Sequence, residues 1–267
     1  MIRLEREMET LLITLYSKAK MSETGQIITD RKAEDAVKSV EYDFHKLNVN
    51  KKTQVFMALR SAIIDAFAQD YLKTQPNACV LHLGCGLDFR YDRLNRPDCD
   101  WYDLDYPEVV AIKREFVEES AHYRFLASSV NELSWLNSVQ DNSHALVIAE
   151  GLTMYLSEQE IEWLFTAINQ KFPAVTYIFD VYSLISVRLS QKRLNSLLNR
   201  TGAQIKWGID EPERLSYLGM RYIKSLYIND ARFVKTIKSA YFRMMFRLMS
   251  GFKTANNAMR ILVYEKS

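Results

Sequence analysis

From Cys79 to Val181 the chain alternates between short apolar segments and stretches of helical composition. The segments are CVLHL (79–83), DWYDLD (100–105), RFLAS (124–128), ALVIAE (145–150) and VTYIFDV (175–181). Pro107 to Glu119, Ser157 to Gln170 and Leu184 to Asn199 are the helical stretches. Repeated strand–helix alternation predicts a parallel sheet with helices on both faces. Two further strands, MRYIKSLYI (220–228) and AMRILVYEK (258–266), flank an amphipathic stretch from Asp230 to about Leu248. They bring the predicted sheet to seven strands, with the last an antiparallel edge.

Ahead of the sheet, residues 1–75 read as helical. Leu4, Met8, Leu11, Leu12 and Leu15 share one face, and a break falls near Ser22 to Gly25. Helices are expected from about Arg31 to Phe44 and from about Thr53 to Leu72. Pro76-Asn77 then punctuates the chain. With eight glycines and five prolines, no flexible tether stands out. The expected organisation is a helical lead-in over 1–75 and a core over 76–267, with a helical insertion at about 182–218.

The formal net charge is +2, too small for a field that draws nucleic acid or a membrane surface. Cys79, Cys85 and Cys99 form no CxxC pair, which suits reduced thiols in the cytoplasm. The N-terminus lacks a signal-peptide pattern, and no apolar run reaches the roughly 20 residues needed to span a bilayer. No metal-ligand cluster stands out.

In an open parallel sheet, ligands sit beyond the carboxyl ends of the strands. Four features fall there. Gly84-Cys85-Gly86 ends the first strand, where glycine permits a tight turn and close approach of a ligand. The third position of a GxGxxG fingerprint is Phe89, so the loop suits a nucleotide lacking a pyrophosphate better than it suits NAD. Asp105 ends the second strand. It is placed to accept from ribose hydroxyls, or to cap the helix opening at Pro107. Asp103, two residues earlier, competes with it. Ser128 and Ser129 follow the third strand, as binders of a ligand edge or as turn formers. Glu150 closes the fourth strand beside Gly151. A buried carboxylate needs a partner, either a cationic ligand group or a protein Lys or Arg.

LHLGCGLDFR, WYDLDYPEVVAIKR, RFLASSV with SWL, and AEGLTMYLSEQE resemble, in order, segments of the leucine carboxyl methyltransferase superfamily. The likeness is to its bacterial polyketide O-methyltransferase branch. It extends upstream to DRKAEDAVKSVEYDF and ALRSAIIDAF, and downstream to FDVYS and KWGIDEPERL. The resemblance implies an α/β, Rossmann-like class I methyltransferase with a mostly parallel seven-stranded sheet and a helical cap. Its implied cofactor is S-adenosyl-L-methionine (AdoMet). It also implies that Arg60 holds the AdoMet carboxylate, that Gly84, Cys85 and Gly86 pass under the methionine part, and that Asp105 binds the ribose. Ser129 takes the position after the third strand, and Glu150 reaches the amino group. His82 and Phe89 depart from the family's usual Asn and Thr.

The implied reaction is an in-line methyl transfer, which depends on alignment and exclusion of water. A carboxylate acceptor, already ionised at neutral pH, needs no general base, and none is assigned here. A phenol needs one. Of four histidines, His82, His122 and His144 read as structural, leaving His45 as the one facing a substrate from the helical lead-in. The family likeness puts Tyr16 and Lys18 near the mouth of the site, and Tyr155 in AEGLTMYL on the substrate side. The segment from Tyr182 to about Leu218 holds Arg188, Lys192, Arg193, Leu197, Leu198, Arg200 and Trp207. Arg188 is its candidate for pairing with an acidic acceptor. The expected partner is a small acidic or aromatic acceptor. A protein C-terminus as acceptor, or a non-catalytic AdoMet-binding protein, are the alternatives.

Overall fold

The computed structural model describes residues 9–192, 204–249 and 251–266. Three helices lead. They are α1 (Glu9–Glu23), α2 (Arg31–Ser39) and α3 (Lys51–Thr74). Leu4 and Met8 lie outside the described residues. Asp30 caps α2, accepting from the Ala33 N–H at 3.0 Å, and Asn50 caps α3 through the Thr53 N–H at 2.9 Å. The expected helix to Phe44 stops at Ser39. Val40 is extended, and the Asp43 carboxylate caps a separate 3-10 turn over Phe44–Leu47. Local side-chain capping there outcompetes continuation of the helix.

The core follows in strand–helix order: β1 (Cys79–Leu83), α4 (Arg90–Arg93), β2 (Trp101–Asp105), α5 (Pro107–Lys113), β3 (Tyr123–Ala127) and β4 (His144–Ala149). After these come α6 (Glu158–Lys171), β5 (Ala174–Tyr182), α7 (Leu184–Lys192), β6 (Met220–Leu226), α8 (Ala231–Val234), α9 (Ala240–Met249), α10 (Lys253–Asn257) and β7 (Met259–Lys266). The sheet order is β3-β2-β1-β4-β5-β7-β6. Strands β1 to β5 are parallel, and β7 runs antiparallel between β5 and β6. The last strand is therefore antiparallel as expected but interior, and β6 is the edge.

Two other lengths differ from the sequence expectation, and a third runs beyond the described residues. The helix opening at Pro107 ends at Lys113, not Glu119, and the Glu119 carboxylate accepts from the Phe125 N–H of β3 at 2.8 Å. The stretch after Asp230 is two helices, separated at Lys235–Ser239. The expected helix to Asn199 is described only to Lys192, so Arg193, Leu197, Leu198 and Arg200 lie outside the described residues. Trp207 packs in the main core under β4 and β5. No described helix is long and apolar enough to cross a membrane.

One apolar layer lies on each face of the sheet. Leu81, Val147, Phe165 and Tyr177 belong to one, and Val80, Leu146, Ile148 and Ile63 to the other. Asp103 is a polar exception. Its carboxylate is 1% exposed and accepts from Trp101 Nε1 at 2.8 Å, Lys113 Nζ at 2.5 Å and the Tyr123 hydroxyl at 2.6 Å. His82 Nδ1 lies 2.9 Å from the same carboxylate. Burial alone would raise Asp103, but Lys113 and His82 hold it below the usual carboxylate range. This saturation removes Asp103 as Asp105's competitor for a ligand. Asp103→Ala strands the buried Lys113 charge and is expected to cost about 3–5 kcal/mol of stability, read as a lower urea midpoint. A loss below about 1 kcal/mol would show the cluster to be energetically idle.

Candidate active site

The β1–β4 junction is where the sheet order reverses, and β1 runs there into Gly84-Cys85-Gly86. Gly84 (φ 57°) and Gly86 (φ 53°) are both left-handed. A Cβ at Gly84 would sit 2.9 Å from Leu152 Cδ1, and one at Gly86 2.9 Å from Leu11 Cδ2. The loop is thus pressed between the β4 loop and helix α1, and only glycine fits. Phe89 is buried against Phe116, their ring centroids 6.0 Å apart. The position where a pyrophosphate loop wants a small residue is core here.

A cavity of ≈ 170 Å³ opens above this loop. Thr10, Leu11, Thr14 and Lys18 of α1 wall one side, and Thr53, Met57 and Arg60 of α3 another. Gly84, Cys85 and Gly86 form the floor with His82 and Asp88. Glu150, Gly151, Met154, Tyr155 and Tyr182 close the remainder. Of the residues singled out from sequence, Arg60, Gly84, Cys85, Gly86, Glu150, Lys18 and Tyr155 meet in this one cavity. Asp105 lies one hydrogen bond behind the lining. Its carboxylate accepts from the Gly86 N–H at 2.6 Å and the Tyr106 N–H at 2.8 Å. Burial pushes the Asp105 carboxyl up, against those two N–H groups.

The Ser128 N–H donates to the Asp105 carbonyl at 2.9 Å, so the β3 end abuts the β2 end. The two serine hydroxyls bond within their own turn, Ser128 to Glu132 and Ser129 to the Asn131 N–H. Tyr16, His45, Arg188, Ser128 and Ser129 are not among the residues that line the cavity. Tyr16 stacks on Phe44, with centroids 5.3 Å apart, because its position on α1 faces the α2 side. His45 is exposed in the Phe44–Leu47 turn, and Arg188 is exposed on α7.

The cavity's back wall is a buried ionic network. Glu150 accepts from Arg60 Nε at 3.0 Å, the Ser61 hydroxyl at 2.7 Å and an Arg90 Nη. Its cationic partners are therefore protein arginines, the second of the two alternatives. Arg60 also donates to Asp180 at 2.8 Å. Lys18 pairs with Asp88 at 2.7 Å, and Asp88 also accepts from Arg93 at 2.6 Å. Burial works upward on Asp88, yet Arg90, Arg93 and Lys18 together keep it well below the ordinary range. Burial lowers His82. Arg90 donates to its Nε2 at 2.9 Å, so the neutral ring carries its proton on Nδ1, facing Asp103.

Asp88, Arg90, Asp180 and Tyr182 were not singled out from sequence as site residues. The signal for Tyr182 was its place at the carboxyl end of VTYIFDVY. Its hydroxyl and that of Tyr155 make no hydrogen bond to a described residue, and burial raises both phenols above their usual range.

Comparison with known proteins places the chain. The leucine carboxyl methyltransferase family profile matches residues 14–169. The tetracenomycin polyketide synthesis O-methyltransferase TcmP of Streptomyces glaucescens is 33% identical over 237 residues, covering 87% of each protein. The S-adenosyl-L-methionine-dependent methyltransferase dpfgK of Gibberella zeae is 28% identical over 243 residues, covering 82% of each. Among solved structures, magnesium protoporphyrin IX methyltransferase of Synechocystis PCC 6803 with bound SAH has a TM-score of 0.52 at 11% identity. It covers 96% of this chain and 100% of that one. At that identity the likeness speaks for the fold alone.

For Glu150, burial acts upward, but Arg60 and then Arg90 override it and draw the carboxyl down to about 2. Its stabilising effect is present above the unfolded value of about 4.3 and is lost as pH falls toward 2. The stability gap between wild type and Glu150→Gln should therefore narrow by about 1.5 kcal/mol between pH 5 and pH 3 in thermal unfolding. A gap that stays constant over that window would show Glu150 to titrate normally.

Proposed function

The chain belongs to the leucine carboxyl methyltransferase family, and from that premise we propose that it moves the methyl group of AdoMet onto a carboxylate oxygen of a small acidic or aromatic metabolite. The observation that carries this reading is the cavity itself. It joins the glycine loop, Arg60 and Glu150 to Tyr155 and Tyr182.

The residues present fit AdoMet. Gly84 and Gly86, both at positive φ, turn the backbone so that the loop lines the cavity floor. Asp105 spends only two of its roughly four acceptor sites on backbone N–H groups, leaving lone pairs for ribose hydroxyls. The methionine amino group would lie by Glu150 and the carboxylate by Arg60 and Lys18, each added to the protein partners that these side chains already hold. Ser128 and Ser129 would border the adenine end. When bound, the cofactor supplies a methyl group activated by its sulfonium charge.

Within the cavity each titratable group is already committed. Lys18 is held by Asp88, His82 lies between Asp103 and Arg90, and Glu150 lies between Arg60 and Arg90. Tyr155 and Tyr182 keep their protons because burial disfavours the phenolate. They donate hydrogen bonds rather than accept a proton. An acceptor that arrives ionised matches this lining, since it needs orientation and no base. The tyrosine hydroxyls would hold the non-reacting carboxylate oxygen. Leu11, Met57 and Met154 would keep water from the reacting atoms, so helices α1 and α3 would serve as the cap over the acceptor.

With methyl-labelled AdoMet and a panel of carboxylic acids and phenols, label should enter carboxylic acids as an alkali-labile ester. Alkali-stable label confined to phenols would contradict the carboxylate assignment. Asp105→Ala should weaken AdoMet binding about 10- to 100-fold by loss of charge-assisted hydrogen bonds. An unchanged affinity in the folded variant would remove Asp105 from the site.

A further inference from the structure

The small net charge hides a division. Between Val181 and Ile209 there are five Lys or Arg and no Asp or Glu, and between Ala231 and Tyr264 there are seven and none. The rest of the chain holds 23 of the 35 cations and all 33 acids, a net charge of −10. The described parts of both acid-free segments emerge at one end of the sheet. α7 follows the carboxyl end of β5, and α8 and α9 connect β6 to β7, whose first residue Met259 pairs with Tyr182. Tyr182 packs with Val187 of α7 on one side and is shared with Phe242 and Met245 of α9 on the other. Since Tyr182 also lines the cavity, this basic end is the cavity's end.

The same two segments carry the exposed apolar surface. Of ten large apolar side chains left exposed among the described residues, seven lie here. Leu184, Ile185 and Leu189 are on α7, Tyr241, Met244 and Leu248 on α9, and Phe252 just beyond. The i, i+3, i+7 spacing of 241, 244 and 248 makes one outward stripe, while Phe246 is fully buried on the other side. Arg243 and Arg247, four apart, form the adjoining stripe, and Arg243 is fixed by the Ile237 carbonyl at 2.7 Å. A cationic row beside an apolar stripe is the pattern of a helix lying in a lipid headgroup layer.

We propose that this end of the molecule seats on an anionic lipid surface, with Tyr241, Met244, Leu248 and Phe252 entering the headgroup layer and the cations Arg188, Lys235 and Arg243 facing lipid phosphates. A second copy is a poor occupant, because the same face turned on itself would oppose two acid-free basic patches. An anionic membrane meets both the apolar stripe and the cations without a shaped groove. The location does not depend on the methyl-transfer reading. If that reading holds, an acceptor dissolved in lipid reaches Tyr155 and Tyr182 from the membrane side.

The test is co-sedimentation of the full chain with phosphatidylglycerol–phosphatidylcholine vesicles, with pure phosphatidylcholine vesicles as control. Binding is expected to anionic vesicles, and to fall about tenfold or more on neutral vesicles and in about 0.5 M salt. Met244→Ser with Leu248→Ser, both at exposed positions, should cut it about tenfold while leaving AdoMet affinity unchanged. Lys235→Glu should weaken it as well. No binding to anionic vesicles, equal binding to neutral ones, or full binding by the double variant would each overturn the proposal. So would capture of an acidic protein by this face without any vesicle binding.

Discussion

The ionic network behind the cavity is the constraint on which the rest of the molecule turns. Lys18 of α1, Arg60 and Asp65 of α3, Asp88 and Arg90 after β1, Glu150 after β4 and Asp180 of β5 are all buried or nearly so, and each has a partner. Removing charges from water is costly, and the geometry is tolerable only when every member is matched. The helices cannot shift against the sheet without leaving buried arginines and carboxylates unmatched. Charge matching thereby fixes α1 and α3 over the glycine loop, and the cavity is the space left between them.

That arrangement explains why the glycine loop is so confined. Leu11 reaches Gly86 from α1, and Leu152 reaches Gly84 from the β4 side. The loop's positive φ angles are held from both sides, so the Gly86 N–H stays aimed at Asp105. A site that works by alignment needs this kind of preorganisation more than it needs a reactive side chain.

Much of this was legible in the sequence. Strands β1 to β5 announce themselves because a sheet buried on both faces requires near-continuous apolar runs. Gly84, Gly86 and Asp105 were legible because a turn and a strand end tolerate few alternatives. The network was not. Sequence spacing does not reveal that Asp65 and Glu150 meet Arg90 across the fold. Lys18 and Tyr16 are two positions apart on α1, yet one faces the cavity and the other Phe44, a difference set by docking angle. The order of β6 and β7 was also hidden, because an antiparallel pair swaps places without changing either strand's pattern. Composition misled on charge, because a total of +2 is what a basic end and an acidic remainder leave behind.

The central claim is that this cavity is built for AdoMet rather than for a pyrophosphate-bearing nucleotide. Calorimetric titration of the purified chain with AdoMet, alongside NAD, tests it directly. The account predicts saturable one-site binding of AdoMet and no heat with NAD. Folded protein that gives no heat with AdoMet, or that binds NAD as well, would contradict it.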